Sequence, residues 1–463
     1  MTAHTKPASS ADLPYKNKGD LTTGSVRGHL ARLTLPMIWG LLAVISMQLA
    51  DTYFISMLGT TELAAVSFTF PVTMILSHFV FGINIALSSV VSRLIGGKQM
   101  EDVKRIVLHG LIFAVALTAL IAAGTLAFMD PLFSAMGADE ISREIIWQYM
   151  PLWLLASIIL AVPVNANSAI RAAGDTLIPA LVMTTVAVVN VALDPVFIFG
   201  LFGAPEMGVK GAAVATVIAN ICALGLALYF LVAKKDLVCL KGLKLAQFGD
   251  SFKRLIVIAI PAGITNIIMP FTNAVIVALL ATSGAEVVAA FGVASRVEAL
   301  AMLLVISLAL GLAPIVGQNW GARNFGRVHE AINQAILFNF IWSAGVAVVL
   351  GLFARSIAGA FSDDVTVVKY AALFFWIVPF SYAFGNLVMG WASSFNAMGM
   401  PQKAFVMIVA KAFAITIPAV YLGEVFYGVE GLFIALAASN VVSGILFHWL
   451  SWRSCRAYEQ GQG

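Results

Sequence analysis

The sequence predicts an all-α polytopic membrane protein with twelve transmembrane helices in two pseudo-symmetric six-helix bundles. Three observations lead to this fold class. The composition is very apolar, long apolar stretches alternate with short charged connections, and the second half of the chain repeats the first.

The composition excludes most classes of soluble protein. Hydrophobic residues make up 60% of the 463 residues and charged residues only 11%, with a mean hydropathy of +0.95. An ordinary globular chain is roughly one quarter charged. We therefore exclude a soluble enzyme, a nucleic-acid-binding protein and a disordered scaffold. The three cysteines show no paired spacing, so neither a disulfide framework nor a zinc site is indicated, and we expect no cofactor.

Twelve apolar stretches are long enough to cross a bilayer, which requires about 20 residues in a helix. The predicted spans are 33–57, 63–92, 106–129, 146–170, 177–201, 208–233, 255–282, 287–317, 331–354, 370–397, 404–423 and 431–452. They divide the chain into an N-terminal tail (1–30), an N-terminal lobe (31–233), an inter-lobe linker (234–254), a C-terminal lobe (255–453) and a C-terminal tail (454–463).

Basic residues predict which side of the membrane each connection faces. If the N-terminus is cytoplasmic, most of the 27 lysines and arginines fall in cytoplasmic segments; the exceptions in outward connections are Arg143, Lys210, Arg355 and Lys369. Cytoplasmic loops of membrane proteins carry an excess of Lys and Arg. We therefore predict a multi-pass protein of a bacterial inner membrane with both termini and the linker in the cytoplasm.

The two halves of the chain share a common pattern. One constant offset, which we call the repeat register, aligns Pro36 with Pro261, Gly59 with Gly284, Gly96 with Gly321 and Gly174 with Gly399. Because each half holds an even number of spans, both copies enter the membrane from the same side, as in transporters built from parallel repeats. Two such bundles with a cleft between them suit alternating access, so the repeat favours a transporter.

Two aspartates lie inside apolar spans of the N-terminal lobe. Asp51 and Asp194 are each eight residues from the outer end of a span that runs outward, which places both roughly 12 Å below that end at 1.5 Å per residue. Asn190 lies on the same helix face as Asp194, one turn deeper. Charged groups at mid-bilayer cost about 2.5–3.5 kcal/mol on insertion scales. We therefore expect Asp51, Asn190 and Asp194 to share one site that holds a proton or a sodium ion.

The C-terminal lobe lacks this site. The repeat register places Ile276 opposite Asp51 and Ala419 opposite Asp194. A purely structural alternative for the two aspartates is that each satisfies backbone groups or pairs with a base.

Other polar residues inside the spans could have either a structural or a functional role. Arg296 and Glu298 are two residues apart and so point to different helix faces. Lys411 needs either an aqueous cavity or an acidic partner, and Glu298 is a candidate for that partner. Asn165 and Asn220 are candidate cavity residues, although hydrogen bonds between helices explain them equally well.

Seven motifs at this spacing make the chain similar to the multidrug and toxic compound extrusion (MATE) family over nearly its whole length. They are LTLPMI at Leu33–Ile38, LADTYFISMLGTTELAAVS around Asp51, SRLIGGKQMEDV after span 2, RAAGDTLIP after span 4, NVALDPVFIFG in span 5, MGVKGAAVAT before span 6 and GQNWGARN after span 8.

The resemblance implies two six-helix lobes that export organic cations or other amphipathic compounds in exchange for protons or sodium. Span 7 contains no acidic residue, so the chain resembles the DinF-like branch, whose ion site lies in the N-terminal lobe. By motif, Asp51, Asn190 and Asp194 correspond to that site and Tyr149 to a cavity residue near it. Pro36 matches a proline at which the first helix is proposed to bend; the alternative is a simple helix-entry proline.

These observations predict a multidrug efflux antiporter that acts by alternating access, as a monomer in the lipid bilayer, without enzymatic activity. Its expected partners are small organic cationic or amphipathic substrates, and nucleic acid is not among them. Two alternatives stay open: a lipid-linked precursor flippase of the same superfamily and, in a different class, an ion channel.

Overall fold

The computed structural model describes residues 19–239 and 247–460. Its helices are α1 Val26–Ser56, α2 Thr60–Gly96, α3 Met100–Ala127, α4 Met129–Ala135, α5 Glu140–Ala172, α6 Leu177–Phe199, α7 Val209–Leu228, α8 Phe248–Ala281, α9 Ala285–Gly321, α10 Phe325–Leu352, α11 Ala354–Gly359, α12 Val365–Ile377, α13 Tyr382–Met398, α14 Pro401–Val409 and α15 Ile417–Glu459. Parts of the predicted tails and linker (1–18, 240–246 and 461–463) lie outside the described residues.

The twelve predicted spans are confirmed, although the last two form one helical stretch. Eleven stretches of the described residues are long and apolar enough to cross a membrane, and the last of them, Pro401–Glu459, has 59 residues. It is far longer than the roughly 20 residues that one span needs. Gly428 interrupts it with a φ of 61° and a ψ of −147°, so two helices meet there at a kink. Spans 404–423 and 431–452 lie on either side of this kink.

The first helix begins before the predicted lobe boundary at residue 31. It starts at Val26, and the segment before it packs against the C-terminal lobe. The side chain of Leu21 is fully buried, its amide donates to Gln318 Oε1 at 3.0 Å, and its carbonyl accepts from Arg327 Nη2 at 3.2 Å. Because these partners lie in the other half of the chain, local sequence gives no sign of the contact.

The two lobes meet at the end of the molecule that carries the N-terminus, which we call the joined end. Two buried apolar clusters there draw side chains from both lobes, since Leu255 packs with α2 and α3 and Leu33 packs with α9. At the opposite end, the open end, each buried cluster of the described residues comes from one lobe only. The lobes therefore converge at the joined end and separate toward the open end, leaving a cleft between them.

Backbone contacts between α2 and α9 close the joined end. A Cβ on Gly96 would overlap the carbonyl of Gln318, and a Cβ on Gly321 would overlap the carbonyl of Arg93. The repeat register relates Gly96 to Gly321 and Arg93 to Gln318, so the two contacts are equivalent under the internal repeat. Glycine at both positions lets the two helices touch through their main chains.

We predict that Gly321→Ala opens the joined end. Because the new methyl group meets backbone that cannot rotate away, the strain should be about 1–3 kcal/mol, which shifts a two-state equilibrium by about 5- to 150-fold. Spin labels at the exposed positions Phe202 and Tyr427, in a background without native cysteines, report the distance across the open end, which should shorten.

The matched control is Gly225→Ala on α7, where an added Cβ meets nothing within 4 Å. This variant should keep the wild-type distance distribution. Equal shifts in both variants, or none in Gly321→Ala, would contradict the role of the α2–α9 contact.

Candidate functional site

Asp194 lies on α6 in the interior of the N-terminal lobe and is fully buried. Asn190, one helical turn earlier, donates from Nδ2 to Asp194 Oδ1 at 3.4 Å. Asp194 Oδ2 has no hydrogen-bond partner among the described residues. Burial of a charged carboxylate with an unpaired oxygen is costly, so this carboxyl is suited to take up a proton or a cation.

Thr216 on α7 completes the hydrogen bonds of Asn190. The Nδ2 of Asn190 also donates to Thr216 Oγ1 at 3.2 Å, and that hydroxyl donates to the carbonyl of Ala212 at 2.9 Å. Sequence reasoning did not select Thr216, although it is the only hydroxyl residue in the apolar stretch 209–228. The amide of Asn190 therefore holds Asp194 and links α6 to α7.

Asp51 approaches the same site from α1. Its side chain is half-buried, its Oδ1 has no partner in the described part of the chain, and the carboxyl is close enough to Asp194 for electrostatic interaction. Tyr149 on α5 is buried and lies within electrostatic range of both carboxyls. Together with Thr216 on α7, four helices of the N-terminal lobe thus contribute acidic, amide, hydroxyl and phenol groups to one place.

An apolar layer covers this polar group on the open-end side. Ile55, Ile198 and Ala212 form one buried cluster. Ile55 and Ile198 follow the two aspartates by four residues, one helical turn, so the aspartates lie at one level in the bundle. The layer above them keeps the carboxyls in an apolar environment.

The arrangement suits a small monovalent cation or a proton. Two carboxyls and an amide oxygen are hard ligands, which suits a small cation. Removal from water favours the neutral form of an acid, and a second acid nearby strengthens this preference, which suits a proton. Among the described residues no group of three or more His, Cys, Asp or Glu side chains is placed to hold a metal. Taking up one positive charge would relieve the repulsion between Asp51 and Asp194.

Pro36 lies inside α1, well after the helix begins at Val26, so its interpretation as a helix-entry proline is wrong. Proline has no amide hydrogen, which leaves the carbonyl four residues earlier without its helical donor. That carbonyl belongs to Arg32 and instead accepts from Thr176 Oγ1 at 3.3 Å. The free carbonyl thus ties α1 to the start of α6.

Asn165 and Asn220 are engaged in packing. Both are buried; Asn165 Nδ2 donates to Ala161 O at 2.8 Å within α5, and Asn220 Nδ2 donates from α7 to Ala156 O on α5 at 2.9 Å. Both amides thus donate within the bundle, while Asn165 Oδ1 has no hydrogen-bond partner among the described residues, and their role as cavity residues stays a prediction.

The three charged residues inside the predicted spans of the C-terminal lobe lie in two different environments. Arg296 is exposed. Glu298 on α9 interacts electrostatically with Lys411, which lies in the π-helical segment Ala410–Thr416 between α14 and α15, and the hydroxyl of Tyr382 lies beside the same carboxyl. The two faces expected for Arg296 and Glu298 are thus seen, and Lys411 has an acidic neighbour.

Two lobes of repeated topology around a cleft, with unpaired carboxyls inside one lobe, define a membrane transporter rather than an enzyme. The sequence profile of the MatE family matches residues 36–196 and 261–422. These two copies start at Pro36 and Pro261, the pair that the repeat register aligns. The chain belongs to the MatE family.

Curated relatives and solved structures cover nearly the whole chain. A protein named FAD transporter from Shewanella oneidensis is 33% identical over 440 residues, 95% of this chain and 97% of that protein. The multidrug export protein MepA of Staphylococcus aureus is 26% identical over 412 residues, 87% of this chain and 88% of MepA. The crystal structure of the Vibrio cholerae MATE transporter VcmN in its bent form matches with a TM-score of 0.88 and 30% identity, covering 96% of this chain and all of that chain.

We predict that Asp194→Asn stabilises the purified protein at high pH. The neutral amide is cheaper to bury than an ionised carboxyl with an unpaired oxygen, so the gain should be about 1–3 kcal/mol at pH 9 and should shrink toward pH 5. Thermal unfolding at both pH values measures the difference. Asp363→Asn at an exposed position is the control, and an equal effect of the two substitutions would contradict the burial argument.

Proposed function

We propose that the chain is a cation-coupled exporter of small amphipathic organic molecules in a bacterial inner membrane. The observation that carries this proposal is the group formed by Asp51, Asn190 and Asp194, in which two carboxyls with unpaired oxygens share one level of the bundle. The coupling ion is a proton or sodium, since two carboxyls and an amide suit either. The protein acts as a monomer, because each chain has two lobes and its own cleft.

The distribution of basic residues supports an orientation with both termini in the cytoplasm. Connections at the joined end carry most of the lysines and arginines, as cytoplasmic loops do. The cleft then faces outward in this conformation. Uptake of a cation by Asp51 and Asp194 displaces the substrate and removes their mutual repulsion, which favours return to the inward-open state.

Relatives suggest two classes of substrate. MepA is named as a multidrug export protein, which supports organic cations and amphipathic drugs as substrates. The Shewanella oneidensis relative is named FAD transporter and is the more similar of the two in sequence, which favours a flavin nucleotide as the second candidate. Both classes combine an aromatic body with charge and fit transport by the same cycle.

The coupling proposal predicts that Asp51→Asn and Asp194→Asn each abolish transport driven by an ion gradient. An amide cannot exchange a proton and binds sodium without charge compensation, so active transport should fall by at least about 100-fold, or about 2.7 kcal/mol. The measurement is uptake of ethidium and of FAD into proteoliposomes under an imposed proton or sodium gradient, with equal amounts of reconstituted protein.

The control is Asp130→Asn, which should transport normally. Asp130 lies outside the interior of the N-terminal lobe and accepts from Trp147 Nε1 at 2.8 Å. Full transport by both site variants would refute the site. Conductance without exchange would identify a channel, and transport of lipid-linked precursors in place of both compounds would identify a flippase.

A substrate prediction follows from the single cleft. If both substrate classes use it, FAD should inhibit ethidium transport competitively in the same proteoliposomes, with an inhibition constant equal to the KM for FAD. Independent transport of the two compounds would contradict a shared pathway.

A further inference from the structure

The C-terminal lobe carries its own charged group in place of the aspartates. At the positions related to Asp51 and Asp194 it has Ile276 and Ala419. Instead, Glu298 on α9, Tyr382 at the start of α13 and Lys411 between α14 and α15 converge from three helices. The residues related to these three by the repeat register are Thr73, Ser157 and Val186, so this group is present in the C-terminal lobe only.

The contacts within this group leave hydrogen-bonding capacity unused. The hydroxyl of Tyr382 is buried, with 3% of the residue exposed, and makes no hydrogen bond of normal geometry to the described residues. In the described part of the chain, the one hydrogen bond of Lys411 Nζ is a long one, 3.4 Å, to the carbonyl of Gly385. The Glu298 carboxyl is a neighbouring acceptor for the Tyr382 hydroxyl, but the geometry of that contact is poor. Native proteins pair nearly all buried polar groups, so a poorly bonded hydroxyl beside an under-bonded ammonium indicates a place where a ligand supplies a better acceptor.

The backbone is irregular at the same place. A 3₁₀ turn, Val378–Ser381, immediately precedes Tyr382, and the π-helical segment Ala410–Thr416 contains Lys411. The related segments of the N-terminal lobe, 153–156 and 185–191, are regular α-helix within α5 and α6. Departures from α-helix inside a membrane are tolerated where the backbone lines a cavity, and π-helical turns are frequent at functional sites.

Glu298 and Lys411 are both half-buried, so each side chain keeps some accessible surface. Their opposite charges compensate each other when nothing is bound. The two lobes therefore differ in polarity, since the N-terminal lobe presents carboxyls alone and the C-terminal lobe presents an ammonium together with a hydroxyl donor and one carboxyl.

We propose that Lys411 and Tyr382 form a binding site for an anionic group of the substrate, a phosphate or a carboxylate. The Lys411 ammonium and the Tyr382 hydroxyl donate to the oxygens of that group, and Glu298, which attracts Lys411 electrostatically, competes with the group for the ammonium. The inference rests on the proposed export of small organic molecules. It adds that the part of the substrate bound by the C-terminal lobe is negatively charged.

A purely structural ion pair makes a different prediction from this competition. If Glu298 and Lys411 only support the fold, removing either one leaves the other, half-buried charge without its partner, and both substitutions should impair the protein in the same direction. If they compete for a ligand, Lys411→Met removes the anion's partner, whereas Glu298→Gln frees that partner. The two substitutions then change anion affinity in opposite directions.

The experiment compares FMN with riboflavin, which share a ring system and differ by one phosphate. Equilibrium binding of each to the full chain in nanodiscs, without an ion gradient, is measured from flavin fluorescence. We expect the wild type to bind FMN about tenfold more tightly than riboflavin, the ratio typical of one charge-assisted contact. The quantity compared is the Kd for riboflavin divided by the Kd for FMN. Lys411→Met should reduce this ratio to about one, and Glu298→Gln should raise it several-fold.

Lys403→Met is the matched control, because Lys403 lies two turns away and donates to Ser454 Oγ at 2.5 Å near the joined end; its ratio should equal that of the wild type. Tyr382→Phe should weaken FMN binding and leave riboflavin unchanged. A wild type that does not bind FMN more tightly than riboflavin, or substitutions at Lys411 and Glu298 that move the ratio in the same direction, refutes the site. Failure of the coupling proposal appears separately, as gradient-independent transport with these binding ratios intact.

Discussion

Burial of a carboxyl that has no basic partner among the described residues is the constraint on which the N-terminal lobe depends. Asp194 has one oxygen held by Asn190 and the other unpaired, in a bundle interior that is shielded from solvent. The energy of this arrangement depends on whether a positive charge is present, so ion occupancy and helix packing are linked. The apolar layer of Ile55, Ile198 and Ala212 maintains that link, because it keeps the two aspartates away from bulk solvent on one side.

Duplication supplied one scaffold, and the two copies then acquired different chemistry. The family profile matches twice along the chain, and the α2–α9 contact at the joined end follows the same symmetry. The polar interiors do not. The N-terminal lobe keeps regular helices around its aspartates, whereas the C-terminal lobe departs from α-helical geometry beside Tyr382 and Lys411. The proposed ion site and the proposed anion site therefore lie in different lobes of a symmetric frame.

Much of this structure was accessible from the sequence because membrane helices are specified locally. Apolar length gave the twelve spans, and a spacing of four residues placed Asn190 beside Asp194. Contacts between distant segments were not accessible in this way. The packing of Leu21 against Gln318, the donation from Asn190 Nδ2 to Thr216 Oγ1 and the position of Tyr382 beside Glu298 join residues whose neighbourhood only the folded chain defines. The start of α1 was missed for the same reason, since its N-terminal turns are polar and are stabilised from the other lobe.

The paired glycine contacts have an evolutionary consequence. Gly96 meets the carbonyl of Gln318 as Gly321 meets that of Arg93, so each half offers the same patch to the other. An interface of this kind is isologous, the type that joins identical subunits around a two-fold axis. Two separate six-helix chains would assemble through these same surfaces. A homodimer of such chains, later joined by a linker, would therefore already contain the interface of the present single polypeptide.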